Sequence, residues 1–381
     1  MRLNLFFACL LTSFLTLLPA FAFSAQIAPP PTLAVKAYLL RDFNSGAEIV
    51  SSKKGERVEP ASLTKIMTAY VTFDAIAHDH LKLDQSLPVS EKAWKVEGSK
   101  MFIEPNKPVT VDDLLHGMII QSGNDASITL AIGVAGSEEQ FADMMNKQAA
   151  KLGMKNTHFV NATGLPDPNH YTTANDLAIL ASALIRDFPQ EYKRLYSVKE
   201  YTYNKITQPN RNRLLWLDPS VDGMKTGHTE TAGYCLISSA MHGATRLISV
   251  VLGASSEALR ASESQKLLNY GFQFYETTLV YKQLQPVSSL RVFKGQDKTV
   301  SAGVANALYL VLPKGDYARV KASMTSKQPL IAPIAAGQAI GKITFSLDGK
   351  VINEQNLVAT KAVDEAGFFG RMMDSMRLLM Q

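Results

Sequence analysis

Three short groups of residues stand in an order that suits acyl transfer. Ser62-Leu63-Thr64-Lys65 sets a hydroxyl and an amine three residues apart, Ser122-Gly123-Asn124 follows 60 residues later, and Lys225-Thr226-Gly227 lies 103 beyond that. On a helix, residues i and i+3 share a face, so the Lys65 amine can reach the Ser62 hydroxyl. Serine is a poor nucleophile without a base. A lysine becomes that base when desolvation or a neighbouring cation lowers its pKa. Lys225 is suited to be the second cation and to hold an anionic substrate. Ser122 can relay a proton to a leaving group, while Asn124 offers an amide to orient the substrate. An edge strand beginning at Lys225-Thr226-Gly227 can bind an extended peptide, with Gly227 giving close backbone approach. A developing oxyanion needs two backbone N–H donors, and Ser62 and His228 are the candidates.

Each group alone says little. Ser51-Ser52-Lys53-Lys54 also fits S-x-x-K and reads as a solvated loop, whereas Ser122-Gly123-Asn124 is the only S-x-N in the chain. The three in one order are far more specific.

The surrounding elements must position them. Residues 36–42 and 47–50 read as strands around an Asn44-Ser45-Gly46 turn. Pro60-Ala61-Ser62 opens a long helix running to Ala77, with proline well placed in the first turn. Thr110 caps a helix to about Ile120, and further helices are expected at 137–152 and 173–186. Residues 234–241 and 246–252 read as a hairpin. Cys235 falls in that strand pattern and is expected to be a buried, inert thiol. From about Tyr281 the pattern becomes short and alternating, with Asp348-Gly349 a strong hairpin signal. No catalytic constellation stands in this part, which reads as a spacer or scaffold.

The two ends carry their own signals. Met1-Arg2 precedes an apolar run, then Pro19 and an Ala20-x-Ala22 site, the pattern of a signal peptide over residues 1–22. An uncleaved anchor is the competing reading. At the other end, Phe369, Met372, Met373, Met376, Leu379 and Met380 share an arc of about 120° on a helix, with Arg371, Asp374 and Ser375 opposite. This is either a helix docked on the preceding domain or an interfacial helix lying on a bilayer, and export favours the membrane surface.

Of the 381 residues, 46% are hydrophobic and 19% charged, which excludes a disordered polyampholyte. The net charge of +5 comes without a Lys/Arg run, so no nucleic-acid partner is expected. Beyond Ala25 no apolar run approaches the roughly 20 residues of a spanning helix. The histidines show no ligand spacing, so neither metal nor cofactor is expected.

The motif order is that of penicillin-recognising serine enzymes. The flanking PASLTKIMTAYV, QSGNDA, LGMKNTHF, NRNRLLW, VDGMKTGHTETAGY and terminal FFG narrow the match. They resemble the low-molecular-mass penicillin-binding proteins of type 5/6, the serine D-alanyl-D-alanine carboxypeptidases, over essentially the whole mature chain. The resemblance implies an α+β fold. A DD-peptidase domain like that of the serine β-lactamases, an antiparallel sheet flanked by helices, would span 23–280. A small all-β sandwich would follow over 281–362, then an amphipathic anchor helix over 363–381. It also implies that Ser62 attacks the bond between the terminal D-alanines of a peptidoglycan stem pentapeptide, with Lys65 as base. Ser122, Asn124 and Lys225 would complete the site, and Thr226, Gly227 and His228 would bind substrate. Arg211 and Arg260 match positions bordering the site and would take the terminal carboxylate, although an arginine in such loops is usually just solvated. β-Lactam antibiotics would acylate the same serine, and the enzyme would work at the periplasmic face of the bacterial cytoplasmic membrane.

Two rivals remain at this level. A class A β-lactamase would carry an E-x-x-L-N segment between the second and third motifs; residues 125–224 contain none. A non-catalytic wall-associated scaffold should have lost a motif, and all three are complete. The same site would also suit cleavage of D,D-crosslinks.

Overall fold

A computed structural model describes residues 28–380, so the expected signal peptide lies outside the described residues. The first domain is built on a five-stranded antiparallel sheet. Its order across the sheet is Glu48–Ser52, Ala37–Asp42, Thr245–Ala254, Gly233–His242 and Val221–Thr229. Two of its three inner strands, Thr245–Ala254 and Gly233–His242, are buried on both faces. Ile237, Ile248, Val250 and Leu252 pack on one side with the helix Lys65–Ala77. Leu236, Leu247 and Val251 pack on the other with Leu267 and Leu268 of the helix Glu257–Phe274. This double burial is why both strands read as nearly continuous apolar runs. Cys235 is buried there, and desolvation pushes its thiol up to about 11.

The expected helices form at Lys65–Ala77, Val111–Ile120, Glu138–Leu152 and Ala174–Asp187. Thr110, Ser137 and Thr173 each accept a hydrogen bond from the backbone N–H three residues on, the N-cap arrangement. Two helices have no clear signal in the sequence. Asn124–Ala135 is apolar nearly all round because other helices enclose it, and Glu257–Phe274 buries Arg260, Glu263 and Ser264 among its apolar residues. One strand starts earlier than expected. Lys225 lies in the middle of Val221–Thr229 rather than at its beginning, because Asp222-Gly223 imitates a turn.

The second domain is all-β. A six-stranded sheet runs Val320–Ser326, Ala339–Leu347, Lys350–Ala359, Thr299–Val304, Pro286–Phe293 and Leu330–Ile331. The pair Tyr275–Tyr281 and Leu308–Pro313 shares its core, with Leu308, Leu310 and Leu312 against Val300, Ile343 and Phe345. Asp348 and Gly349, both at positive φ, turn the predicted hairpin. The domains are clasped where Thr277 Oγ1 donates to Asp42 Oδ2 at 2.6 Å.

The chain closes with the helix Phe368–Leu379. Asp374 is 2% exposed and accepts from the Lys294 backbone N–H at 2.7 Å, with Arg377 and Lys298 beside it. The helix therefore docks on the β domain through polar residues, and Phe368, Phe369, Leu379 and Met380 face outward. Among the described residues no helix is long and apolar enough to cross a membrane.

Candidate active site

Pro60 leads into a single 3-10 turn, Ala61–Thr64, which hands the chain to the helix Lys65–Ala77. Ala61 is held at φ +49° just before Ser62, a conformation that costs a non-glycine residue about 1 kcal/mol or more. The turn aims Ser62 into a cavity of about 440 Å³. Lys65 follows one turn later, 1% exposed. Its Nζ donates to Ser62 Oγ at 2.8 Å, to Asn124 Oδ1 at 2.7 Å and to the Thr163 carbonyl at 2.6 Å. Burial lowers its pKa to about 7, Asp125 opposing this and Arg211 adding to it.

Ser122 sits between two helices at φ +72°, buried. Its Oγ accepts from Lys225 Nζ at 2.9 Å. Lys225 is itself buried and its pKa is driven well down, first by desolvation and then by the charges of Lys65, Arg211 and Arg260. Desolvation, rather than Lys225 acting as a second cation, is thus the main reason Lys65 can lose its proton. Asn124 differs from the free amide expected of it: Oδ1 accepts a hydrogen bond from Lys65 Nζ and Nδ2 donates to the Glu97 carbonyl at 2.6 Å. It reaches the cavity wall as the residue that holds the base.

Lys225, Thr226, Gly227 and His228 lie on the sheet's edge strand, with one backbone side open to the cavity. A Cβ on Gly227 would stand 3.1 Å from the Pro60 carbonyl oxygen and 3.2 Å from Ala61, so glycine lets this strand press against the nucleophile turn. The exposed His228 ring tilts over Tyr234 with centroids 4.0 Å apart. Arg211 is exposed and donates from Nε to the Gln121 carbonyl at 3.1 Å. Arg260 corrects the expectation of a loop residue: it is 3% exposed on the helix Glu257–Phe274, within 3.5 Å of the Gly227 and Arg211 carbonyls and paired with Glu257. All ten sequence-predicted residues converge, eight on the cavity wall and Lys65 and Lys225 immediately behind it.

Sequence reasoning missed the support behind them. The buried Asp125 carboxylate accepts from the N–H groups of Met101, Phe102, Ile103 and Ala126, fixing the loop opposite Ser122. The segment 160–172 is tied to the nucleophile turn by Lys65 to Thr163, by Thr68 Oγ1 to the Ala162 carbonyl at 2.7 Å, and by His170 to Thr64. Asp125 directly after S-G-N was a usable signal. The carbonyl of Thr163 had none, since any residue supplies one.

A cavity-facing serine on a buried lysine, opposite an open β-edge on an antiparallel sheet between helices, defines the penicillin-recognising class of serine acyl enzymes. Residues 24–256 match the D-alanyl-D-alanine carboxypeptidase family, and residues 275–365 match the C-terminal domain of penicillin-binding protein 5. The chain belongs to the D-alanyl-D-alanine carboxypeptidase family. It is 45% identical to the D-alanyl-D-alanine carboxypeptidase DacC of Escherichia coli, over 95% of this chain and 93% of that one. It is 42% identical to DacA of Haemophilus influenzae over 96% and 95%. Penicillin-binding protein 5 of Haemophilus influenzae superposes with TM-score 0.86 at 42% identity, covering 89% of this chain and all of that one. Penicillin-binding protein D2 of Listeria monocytogenes in an ampicillin-bound form superposes with TM-score 0.60 at 32% identity, covering 64% of this chain and all of that one.

Proposed function

We propose that this chain is a serine carboxypeptidase that removes the terminal D-alanine from peptidoglycan stem pentapeptides. The observation that carries the reading is the contact between the buried Lys65 amine and Ser62. Neutral Lys65 takes the Ser62 proton as Oγ attacks the carbonyl carbon of the penultimate D-alanine. The backbone N–H groups of Ser62 and His228 receive the oxyanion. Collapse expels D-alanine, its amine receiving through Ser122 the proton that Lys65 took from Ser62, which returns Lys65 to its neutral form. Water, deprotonated by Lys65, then hydrolyses the ester and leaves a tetrapeptide. The substrate lies along the edge strand at Thr226 and Gly227, with Arg211 and Arg260 near its carboxylate. Penicillins open their strained amide on the same serine.

The protein works outside the cytoplasmic membrane and rests on its outer face. The signal-like N-terminus supports export, and the outward apolar face of Phe368–Leu379 supports the membrane contact. The β domain then serves as a spacer. The test compares the mature protein with Ser62→Ala for D-alanine release from a free pentapeptide and for a penicillin adduct by intact mass. Both activities in the wild type and neither in the variant are expected. Vigorous penicillin turnover without D-alanine release would mark a lactamase, and a folded protein with neither activity would mark a scaffold.

A further inference from the structure

A second cavity, of about 470 Å³, opens where the two domains meet. It shares no lining residue with the catalytic cavity. The strand leading to its Asn44-Ser45 turn lies three strand spacings, about 14 Å, across the sheet from the edge strand. The volume is within the roughly 300–1,000 Å³ of small-ligand sites.

The chemistry of its wall is distinctive. In a chain where nearly one residue in five is charged, no Lys, Arg, Asp, Glu or His lines it. Its polar side chains are mostly amides: Asn44 from the first domain, Asn306, Asn353, Gln355 and Asn356 from the second, with the Ser45 hydroxyl and the half-buried Tyr309 ring beside them. Asn353 Oδ1 is buried and has no hydrogen-bond partner among the described residues. A buried acceptor without a partner is uncommon in folded proteins.

Without a cation the wall has nothing to pair with a phosphate, a nucleotide or an acidic peptide, and without a carboxylate nothing to hold an amine. A carboxamide presents an acceptor and two donors at one end, which matches hydroxyl and acetamide groups, each of them donor and acceptor at once. An aromatic ring supplies an apolar plane. The cleft is also pre-formed, because Asp42 and Thr277 clasp the domains next to the Asn44 turn.

We propose that this cleft binds an uncharged glycan of N-acetylated sugars, and so holds the polymer backbone while the distant site trims its stem peptides. The choice of that polymer rests on the carboxypeptidase reading; binding of a neutral N-acetylated sugar chain does not. The cleft then acts on polymeric substrate alone, through KM, since a free pentapeptide has no sugar to hold.

The test uses the mature full chain, with Ser62 first acylated by penicillin so that the catalytic cavity is closed. An N-acetylglucosamine tetramer is titrated by calorimetry, beside a neutral extended peptide of similar length. The paired variant Asn306→Ala with Gln355→Ala removes two exposed side chains and leaves the core untouched. Saturable binding of the tetramer by the wild type is expected, weakened at least tenfold in the variant. D-Alanine release from free pentapeptide should be unchanged, while KM for peptidoglycan strands rises at constant kcat. No tetramer binding by wild type, equal binding by the variant, or preference for the peptide would overturn the proposal. Failure of D-alanine release with tetramer binding intact would sink the carboxypeptidase reading and leave the cleft standing.

Discussion

Lys65 Nζ stands 2.8 Å from Ser62 Oγ, and the two groups around it that could otherwise carry water, Asn124 Oδ1 and the Thr163 carbonyl, are both taken up by the same amine. The base is thus buried, positioned and close to neutral pH in its pKa, about 7. Only the unprotonated amine can accept the Ser62 proton. Acylation by a fluorescent penicillin, followed by stopped flow, should therefore rise with pH through about 7 and level off above it. Lys65→Ala should lower the acylation rate about 10²–10⁴-fold. A flat profile between pH 5.5 and 8.5 in the wild type would exclude Lys65 as the base.

His170 couples the 160–172 segment to the nucleophile turn and should make stability acid-sensitive. Its Nδ1 accepts from the Val160 N–H at 3.2 Å, which leaves Nε2 to donate to Thr64 Oγ1 at 2.8 Å. Burial lowers its pKa to about 4, against about 6.5 in an unfolded chain. The unfolded state therefore binds a proton that the native state refuses between those values. The contribution is complete above about pH 6.5 and is lost as pH falls toward 4, by roughly 3 kcal/mol in all. In urea titrations at pH 7.5 and 5.0, the wild-type midpoint should drop more than that of His170→Gln. Equal drops would show that the ring is not the titrating group.

How far the sequence carried these conclusions depended on periodicity. The strands at Ala37–Asp42 and Gly233–His242 and four helices follow from apolar spacing and from the caps Thr110, Ser137 and Thr173. The site was legible because Ser62 and Lys65 are joined by helix geometry alone. The helix Glu257–Phe274 was not, since tertiary partners bury Arg260 and Glu263 where spacing alone reads solvent. Asn124 was found but its occupation was not, because the Glu97 carbonyl that fixes it is a backbone group 27 residues away. The polar docking of Asp374 was hidden for the same reason: its main partner is the Lys294 backbone N–H.

Gly164 is required by contact with the nucleophile turn. Its φ is +84°, and a Cβ there would lie 1.8 Å from the Ala61 carbonyl oxygen and 2.9 Å from Thr64 Oγ1. Left-handed backbone alone costs alanine about 1–2 kcal/mol, and a backbone carbonyl cannot swing aside as a side chain does. Gly164→Ala must therefore displace either its own loop, with the Thr163 carbonyl that holds Lys65, or the turn that carries Ser62. A displacement near 1 Å lowers rates about 10²-fold. Penicillin labelling should fall by that order in protein that still unfolds cooperatively. Labelling at the wild-type rate would show that the two segments are not mechanically joined.

The terminal helix offers a separation of binding from catalysis. Asp374 turns its polar side onto the β domain, which leaves Phe368, Phe369, Leu379 and Met380 between 68% and 87% exposed on a helix face that no other element among the described residues covers. Inserting a Phe or Leu side chain into the acyl boundary of a bilayer contributes about 1.5 kcal/mol or more. Replacing two of them, Phe369→Ser with Leu379→Ser, should therefore reduce sedimentation with anionic vesicles by roughly 10²-fold. D-Alanine release in solution should stay at the wild-type rate, because neither residue touches the first domain's cavity. Electrostatic attraction to anionic lipid weakens with salt, whereas the apolar part would persist at high salt. If the double variant sediments like the wild type at high salt, the outward face is not the membrane contact, and the apolar arc must be covered by protein instead.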